Sequence, residues 1–248
     1  MKKLPIGIID MNINNISILN YLTPVFKHED FIYINDLQQL EYEGLTPEAI
    51  NERVKKNIDI LLTCGIKLLI VVSNTIIEYC LPYLKKLPVP FISIVDVIID
   101  YVNNKYEHKN MAFLASTNIM EANLYQKRFR YNHLYPLISD ELDKIINDNK
   151  LKTNTSFSTT KELFKPVMKK DVDIIIPTTV NMMLMKTEIN EYMPFINIVN
   201  IPELICDKIN NILTTPEMKG KGKTTIYINV SKKKANFQHL LSVKYKLK

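Results

Sequence analysis

Short apolar runs alternate along the chain with longer stretches whose apolar residues recur at helical spacing. Residues Ile6–Asp10 read as a buried strand, followed by the polar turn Asn12-Ile13-Asn14-Asn15 and a short helix over residues 16–22. A strand over 31–34 and a loop lead to a helix whose start is marked by Thr46 as cap, Pro47 in the first turn and Glu48 beside the positive end of the dipole. Its buried stripe is Ile50, Val54, Ile58, Leu61 and Leu62, Gly65 ends it, and a strand over 68–72 follows. The same alternation predicts a helix over 75–84, a strand over 91–94, a helix to about residue 102, a strand over 111–114 and a helix over 119–130. Residues 133–138 fit neither period. A helix over 140–147 precedes a polar, turn-rich loop over 148–160. Beyond it come a helix containing Leu163 and Met168, a strand over 174–176, a helical stretch from Met182, a strand over 195–199 and a helix over 202–213. The last thirty residues are expected to hold a strand over 224–230 and one helix. Strands and helices in strict alternation define an α/β fold with mainly parallel sheets.

Two of these strands end alike. Val71-Val72 runs into Ser73-Asn74-Thr75, and Ile174-Ile175-Ile176 runs through Pro177 into Thr178-Thr179-Val180 about a hundred residues later. In open α/β sheets ligands bind just beyond the carboxyl ends of strands, so two apolar strands ending in hydroxyls are a paired candidate site. The same hydroxyls would also serve as caps for the helices that follow, and the pattern alone does not choose between these roles. The repeated design suggests two similar α/β halves whose strand ends face each other across a ligand cleft.

Composition narrows the function classes. The chain has 248 residues, 46% hydrophobic and 23% charged, enough for one large or two smaller cores. Every long apolar stretch is broken within about ten residues, short of the ~20 that span a bilayer. The basic start, Met1-Lys2-Lys3, reaches Asp10 too soon for a signal-peptide core, so a cytoplasmic protein with no membrane partner is expected. Cys64, Cys80 and Cys206 are far apart, and His28, His108, His133 and His239 have no partner at i+3 or i+4, which argues against disulfides and metal. Five glycines in all, with no Gly-rich cradle after a strand, argue against a nucleotide, so no cofactor is expected. The net charge of +6 is a C-terminal property: residues 219–248 hold nine Lys and no acid, and the rest of the chain has 23 basic against 26 acidic groups, a net of −3. Such a tail could hold an anionic partner, but no aromatic interleaving or recognition motif accompanies it, which argues against nucleic acid.

From end to end the landmarks resemble those of glutamate racemase, of the aspartate/glutamate racemase superfamily. Ile6-Gly7-Ile8-Ile9-Asp10 with Met11-Asn12-Ile13-Asn14-Asn15 is similar to the family's opening strand and its Asp-Ser-Gly-x-Gly-Gly turn, with Asn at all three glycine positions. Asn tolerates the left-handed conformation best among non-glycine residues, so the turn is expected to survive the replacement. Glu41-Tyr42-Glu43 resembles the family's Pro-Tyr-Gly segment, keeping Tyr42. The strand ending in Ser73-Asn74-Thr75 resembles the family's Ala-Cys-Asn-Thr, with Ser73 in place of the first catalytic cysteine. The strand ending in Thr178-Thr179-Val180 resembles Gly-Cys-Thr-His, with Thr178 in place of the second cysteine and Val180 in place of the histidine.

The resemblance implies two lobes, residues 1–95 with 200–248 and residues 96–199, and a cofactor-independent isomerase site in the cleft. In the family one thiolate removes the α-proton of an acidic amino acid and the opposite thiol returns it. The positions matching that site are Ser73, Thr178 and Asp10 for catalysis, and Met11, Tyr42, Asn74, Thr75 and Thr179 for substrate. Hydroxyls ionise far less readily than thiols, each pKa unit costing about 1.4 kcal/mol, so both family bases are lost. Ile119, Ala122 and Met11 stand where the family has, or often has, hydroxyl donors, which thins the carboxylate pocket. The expectation is a catalytically degenerate, glutamate racemase-like protein that binds a small molecule, such as an acidic amino acid, or a protein. The alternative is an active racemase or isomerase using Ser73 or Thr178 with Asp10. The resemblance also implies a homodimer and, by family analogy alone, a link to DNA gyrase.

Overall fold

The computed structural model describes residues 4–36, 45–213, 219–229 and 237–248. Tyr42 and Val230 lie outside the described residues. The chain divides into two compact units, Met1–Ile94 with Ile205–Lys248, and Val95–Leu204.

In the first unit β1 (Ile6–Asp10) is buried along its whole length, as its unbroken apolar run requires. It lies between β2 (Phe31–Asp36) and β3 (Leu68–Val71), with Asp10 opposite Asn35 and Ile9 opposite Val71. Outside them lie β4 (Phe91–Ser93), next to β3, and β9 (Thr224–Asn229) and β10 (Lys246–Leu247), next to β2, in the order β10-β9-β2-β1-β3-β4. Every pairing is parallel, so the carboxyl ends of these strands share one edge of the sheet. A 3-10 turn at Ile13–Ile18 runs into α1 (Leu19–Val25). α2 (Pro47–Thr63) starts as its sequence indicates, with the Thr46 hydroxyl accepting the Ala49 N–H at 3.3 Å, and it packs its buried Ile50, Val54, Ile58 and Leu61 toward the sheet. α3 (Asn74–Leu84) follows β3 directly.

The second unit has its own parallel sheet. β5 (Lys109–Ala115) lies between β6 (Tyr131–Ile138) and β7 (Ile174–Pro177), and β8 (Asn197–Ile198) pairs with β7. Its helices are α4 (Ile94–Lys105), α5 (Thr117–Ala122), α6 (Asp140–Asn147), α7 (Asn154–Phe164) and α8 (Lys186–Tyr192), and α9 (Ile201–Ile212) carries the boundary back to the first unit. The fold is the two-sheet parallel α/β architecture that the alternation of elements indicates.

Several local expectations are corrected. The polar stretch 148–160 is not all loop: α7 begins inside it, with Thr153 and Ser156 forming a reciprocal capping box. Ser156 and Thr160 are buried, Thr160 Oγ1 donating to the Ser156 carbonyl at 2.8 Å, while Thr153, Thr155 and Ser158 face solvent, so the polar residues there mix a solvated face with buried hydrogen bonding. The helix foreseen over 119–130 stops at Ala122, because Asn123 turns left-handed at φ 55°. Residues 131–138 form the edge strand β6, and their half-exposed face explains the unclear pattern. The strand foreseen over 195–199 shrinks to two residues, with Phe195 at φ 70°. Among the described residues of the closing segment, the helical element is a 3-10 turn, Gln238–Leu240, and the chain then adds β10.

Candidate functional site

Asp10 closes β1 and is fully buried. Side chains two apart on a strand share a face, so Tyr33, opposite Ile8, reaches along the sheet to the carboxylate at the next position on that face. Tyr33 Oη donates to Asp10 Oδ2 at 2.9 Å, the Met11 N–H donates to Oδ1 at 2.8 Å, and Asn15 Nδ2 approaches the same oxygen at 3.3 Å. Burial outweighs these bonds and pushes the Asp10 carboxyl up to about 7. The same burial, reinforced by the neighbouring carboxylate, pushes the Tyr33 phenol well above its usual range.

The turn after Asp10 keeps its course without left-handed backbone. Asn12 is extended at φ −120°, its side chain accepting the Asn14 N–H at 3.0 Å, and Asn14 and Asn15 sit in the 3-10 turn. None of the three adopts positive φ, so the expectation that Asn substitutes for glycine through left-handed geometry is overturned. Asn12 and Asn15 replace conformational freedom with side-chain hydrogen bonds. Asn15 Nδ2 lies within 3.5 Å of the Val72 carbonyl as well, tying this turn to the end of β3. Asn14 Nδ2 and Ser17 Oγ are buried in the same turn with no hydrogen-bond partner.

Ser73 is buried and caps α3, its Oγ accepting the Ile76 N–H at 3.3 Å. Asn74, also buried, opens the helix, and Thr75 is half-buried beside it. Next along the same edge, Asp36 at the end of β2 is held by Arg53 Nε at 3.1 Å and Asn57 Nδ2 at 3.0 Å. One sheet edge therefore gathers Asp10, Met11, Ser73, Asn74 and Thr75, all named from sequence, and adds Tyr33, Asn35 and Asp36. Strand register was the signal for these three, since Asn35 lies opposite Asp10.

In the second unit Thr178 follows β7 and is buried. Its N–H and its Oγ1 both donate to the Leu114 carbonyl, at 3.1 and 3.2 Å. Thr179 is buried and precedes a 3-10 turn, Val180–Met185, without a side-chain capping bond. Sequence reasoning missed Asp143 on α6: Asn181 Nδ2 donates to its Oδ1 at 2.7 Å, and burial, partly offset by that bond, pushes its carboxyl up to about 6. Ile119 and Ala122 are half-buried on α5. Among the described residues no group of three or more His, Cys, Asp or Glu is placed to hold a metal, and no helix is long and apolar enough to cross a membrane.

The arrangement defines a parallel α/β protein with polar, buried strand ends in each unit. Its relatives in sequence include glutamate racemases, and its neighbours in fold include glutamate and aspartate racemases. The chain is 22% identical to the glutamate racemase of Hydrogenobaculum sp. over 253 aligned positions, covering 98% of this chain and 95% of that protein. A glutamate racemase of Bacillus anthracis superposes with a TM-score of 0.86 at 17% identity, covering 100% of this chain and 97% of that one. The glutamate racemase of Francisella tularensis, solved in complex with D-glutamate, gives 0.80 at 16% identity and covers 100% and 97%. No protein-family profile matches the chain.

Proposed function

We propose that this is a glutamate racemase-like protein that has given up racemisation and retains the strand-end site for binding a small acidic amino acid. On this reading residues 1–95 with 200–248 form one lobe, which carries Asp10, Met11, Ser73, Asn74 and Thr75, and residues 96–199 form another, which carries Thr178 and Thr179. The observation that carries it is the engagement of both hydroxyls at the thiol positions. Thr178 Oγ1 spends its proton on the Leu114 carbonyl, and ionising it would set an alkoxide against that carbonyl oxygen at 3.2 Å. Ser73 Oγ accepts the Ile76 N–H, and among the described residues no carboxylate or imidazole is hydrogen-bonded to it to take its proton, so it lacks the adjacent base that activates a hydroxyl nucleophile or base. Ser73 keeps a proton to donate to a bound carboxylate, which suits binding. The ligand class follows from the D-glutamate bound by the Francisella relative.

The test combines affinity and exchange. Both enantiomers of glutamate and aspartate are screened by thermal shift, where a ligand at about a hundred times its dissociation constant stabilises by ~2.7 kcal/mol. The same ligands are incubated in D2O and followed at the α-carbon. Stabilisation without deuterium incorporation is the expected result. Incorporation that Ser73→Ala abolishes would establish the active racemase or isomerase instead, with Asp10, near neutrality in its pKa, as the proton carrier.

A further inference from the structure

The opposite, amino-terminal edge of the first unit's sheet carries a cleft of about 720 Å³. Three segments line it, each just upstream of or opening a parallel strand: residues 23–28 before β2, residues 220–224 at β9 and residues 243–244 before β10. A second hollow of about 350 Å³ shares Lys221, Gly222, Thr224 and Lys244 with the first and continues to Lys223 and Lys246. Five lysines therefore face one continuous trough, Lys27, Lys221, Lys223, Lys244 and Lys246, with His28 beside them. Among the described residues none of the five lysines is in a salt bridge. Two carboxylates just before β2 have partners of their own: Glu29 lies 2.7 Å from Lys67 Nζ, and Asp30 Oδ1 accepts the Lys223 N–H at 2.8 Å. Five like charges outnumber the carboxylates described beside them and hold a positive potential that an anion relieves.

The wall of this trough is built, not incidental. Two of the five glycines in the chain sit in its one turn. Gly220 is left-handed at φ +81°, and a Cβ on Gly222 would stand 2.0 Å from the Glu29 carbonyl oxygen. Bare backbone at Gly222 lets the turn close on the chain before β2, its N–H donating to the Lys27 carbonyl at 2.8 Å, while His28 Nδ1 meets the Gly220 carbonyl oxygen. That closure is what brings Lys27 and Lys221 to the same cleft.

We propose that the trough binds a phosphorylated small molecule, at a site separate from the strand-end site. Its volume falls in the ~300–1,000 Å³ range of small-molecule pockets, and lysines serve phosphate as compact, multiple donors. A single tyrosine, Tyr245, lines it, so it lacks the run of aromatic platforms that single-stranded nucleic acid needs. β9 has six residues, which at strand rise puts its two ends ~16–20 Å apart, so an occupant here does not touch Asp10 or Ser73. The proposal stands whether or not the strand ends bind an amino acid.

The test is calorimetric titration of the full chain at low salt with inorganic tripolyphosphate, with ATP and with an oligothymidylate of about 20 nucleotides. Saturable binding of tripolyphosphate or ATP is expected, weakened at least about tenfold in the Lys27→Gln, Lys221→Gln, Lys244→Gln triple variant. Lys165→Gln, in an exposed ion pair with Glu162 in the second unit, is the control and should leave affinity unchanged. These lysines line an open cleft, so unchanged melting temperatures are expected for all variants. Absence of saturable binding by either phosphate probe overturns the proposal, as does equal weakening in the control. Oligothymidylate binding that is tighter than ATP and lost in the triple variant also overturns it, in favour of a nucleic-acid surface.

Discussion

Tyr33 Oη and Asp10 Oδ2 form a 2.9 Å hydrogen bond between two fully buried side chains, a phenol held protonated and a carboxyl poised near neutrality. The pair sits where the sheet's central strands end, and it sets a measurable pH dependence. The folded Asp10 carboxyl titrates near 7 against an ordinary 3.8, so the folded state holds its proton more tightly than the unfolded chain does. This group's contribution is therefore most favourable below about pH 4 and is lost as pH rises through 7, a total on the order of 4 kcal/mol. Asp10→Asn should flatten that slope. Urea unfolding at pH 5 and pH 8 reads it directly, and a slope equal in wild type and variant would contradict the assignment.

Tyr33→Phe removes the phenol's bond to the carboxylate and leaves the burial. Since that bond favours the charged form, Asp10 should titrate higher still in the variant, and stability should fall by about 1–2 kcal/mol. Carboxyl carbon chemical shifts followed through pH 5–9 would register the first effect and chemical denaturation the second.

Ser73→Ala deletes the cap of α3. A loss of ~1 kcal/mol is expected from the uncapped Ile76 N–H alone. If the hydroxyl also donates to a bound amino acid, the thermal shift produced by that ligand shrinks in the variant, whereas a purely structural cap would lower the melting temperature and leave the shift intact.

Glu188 is buried in the second unit, its Oε1 accepting the Lys152 N–H at 2.7 Å and the Ser156 hydroxyl at 2.9 Å while its Oε2 has no hydrogen-bond partner. Glu188→Ala should cost about 2–4 kcal/mol through stranded donors and a cavity. Glu188→Gln keeps one acceptor and should cost less; thermal melts of the two variants give the ranking.

The parts legible in sequence were those where local chemistry and tertiary role agree. Thr46-Pro47-Glu48 announced α2 because cap, ring and dipole act within one turn, and the apolar runs of β1, β3 and β7 announced themselves because central parallel strands are buried on both faces. α7 was hidden because Ser156 and Thr160 turn their hydroxyls inward, Ser156 to Glu188 and Thr160 to backbone, and the partner of Ser156 lies over thirty positions away. The two-residue β10 has no periodicity to read, and its existence depends on β9. At the candidate site, Asp10 and Ser73 were visible as polar terminations of apolar runs. Tyr33 was not, since inside a strand its phenol is indistinguishable from core until the register with β1 is known. Asp143 looked like an ordinary acidic residue near a helix start, and its desolvation and its bond to Asn181, 38 positions further on, are set by tertiary packing.

The Asn15 amide that spans Asp10 and the Val72 carbonyl bears on how this sequence can change over generations. In a glycine turn the backbone bends freely, and the two strand ends are joined by sheet hydrogen bonds alone, such as Val72 N–H to the Ile9 carbonyl at 3.2 Å; here a side chain adds a second tie. Replacing Asn15 with Gly alone would withdraw the brace while Asn12 and Asn14 still dictate the non-glycine path of the backbone. A single exchange of this kind thus loosens the turn, and glycine becomes acceptable there only when the asparagines change together.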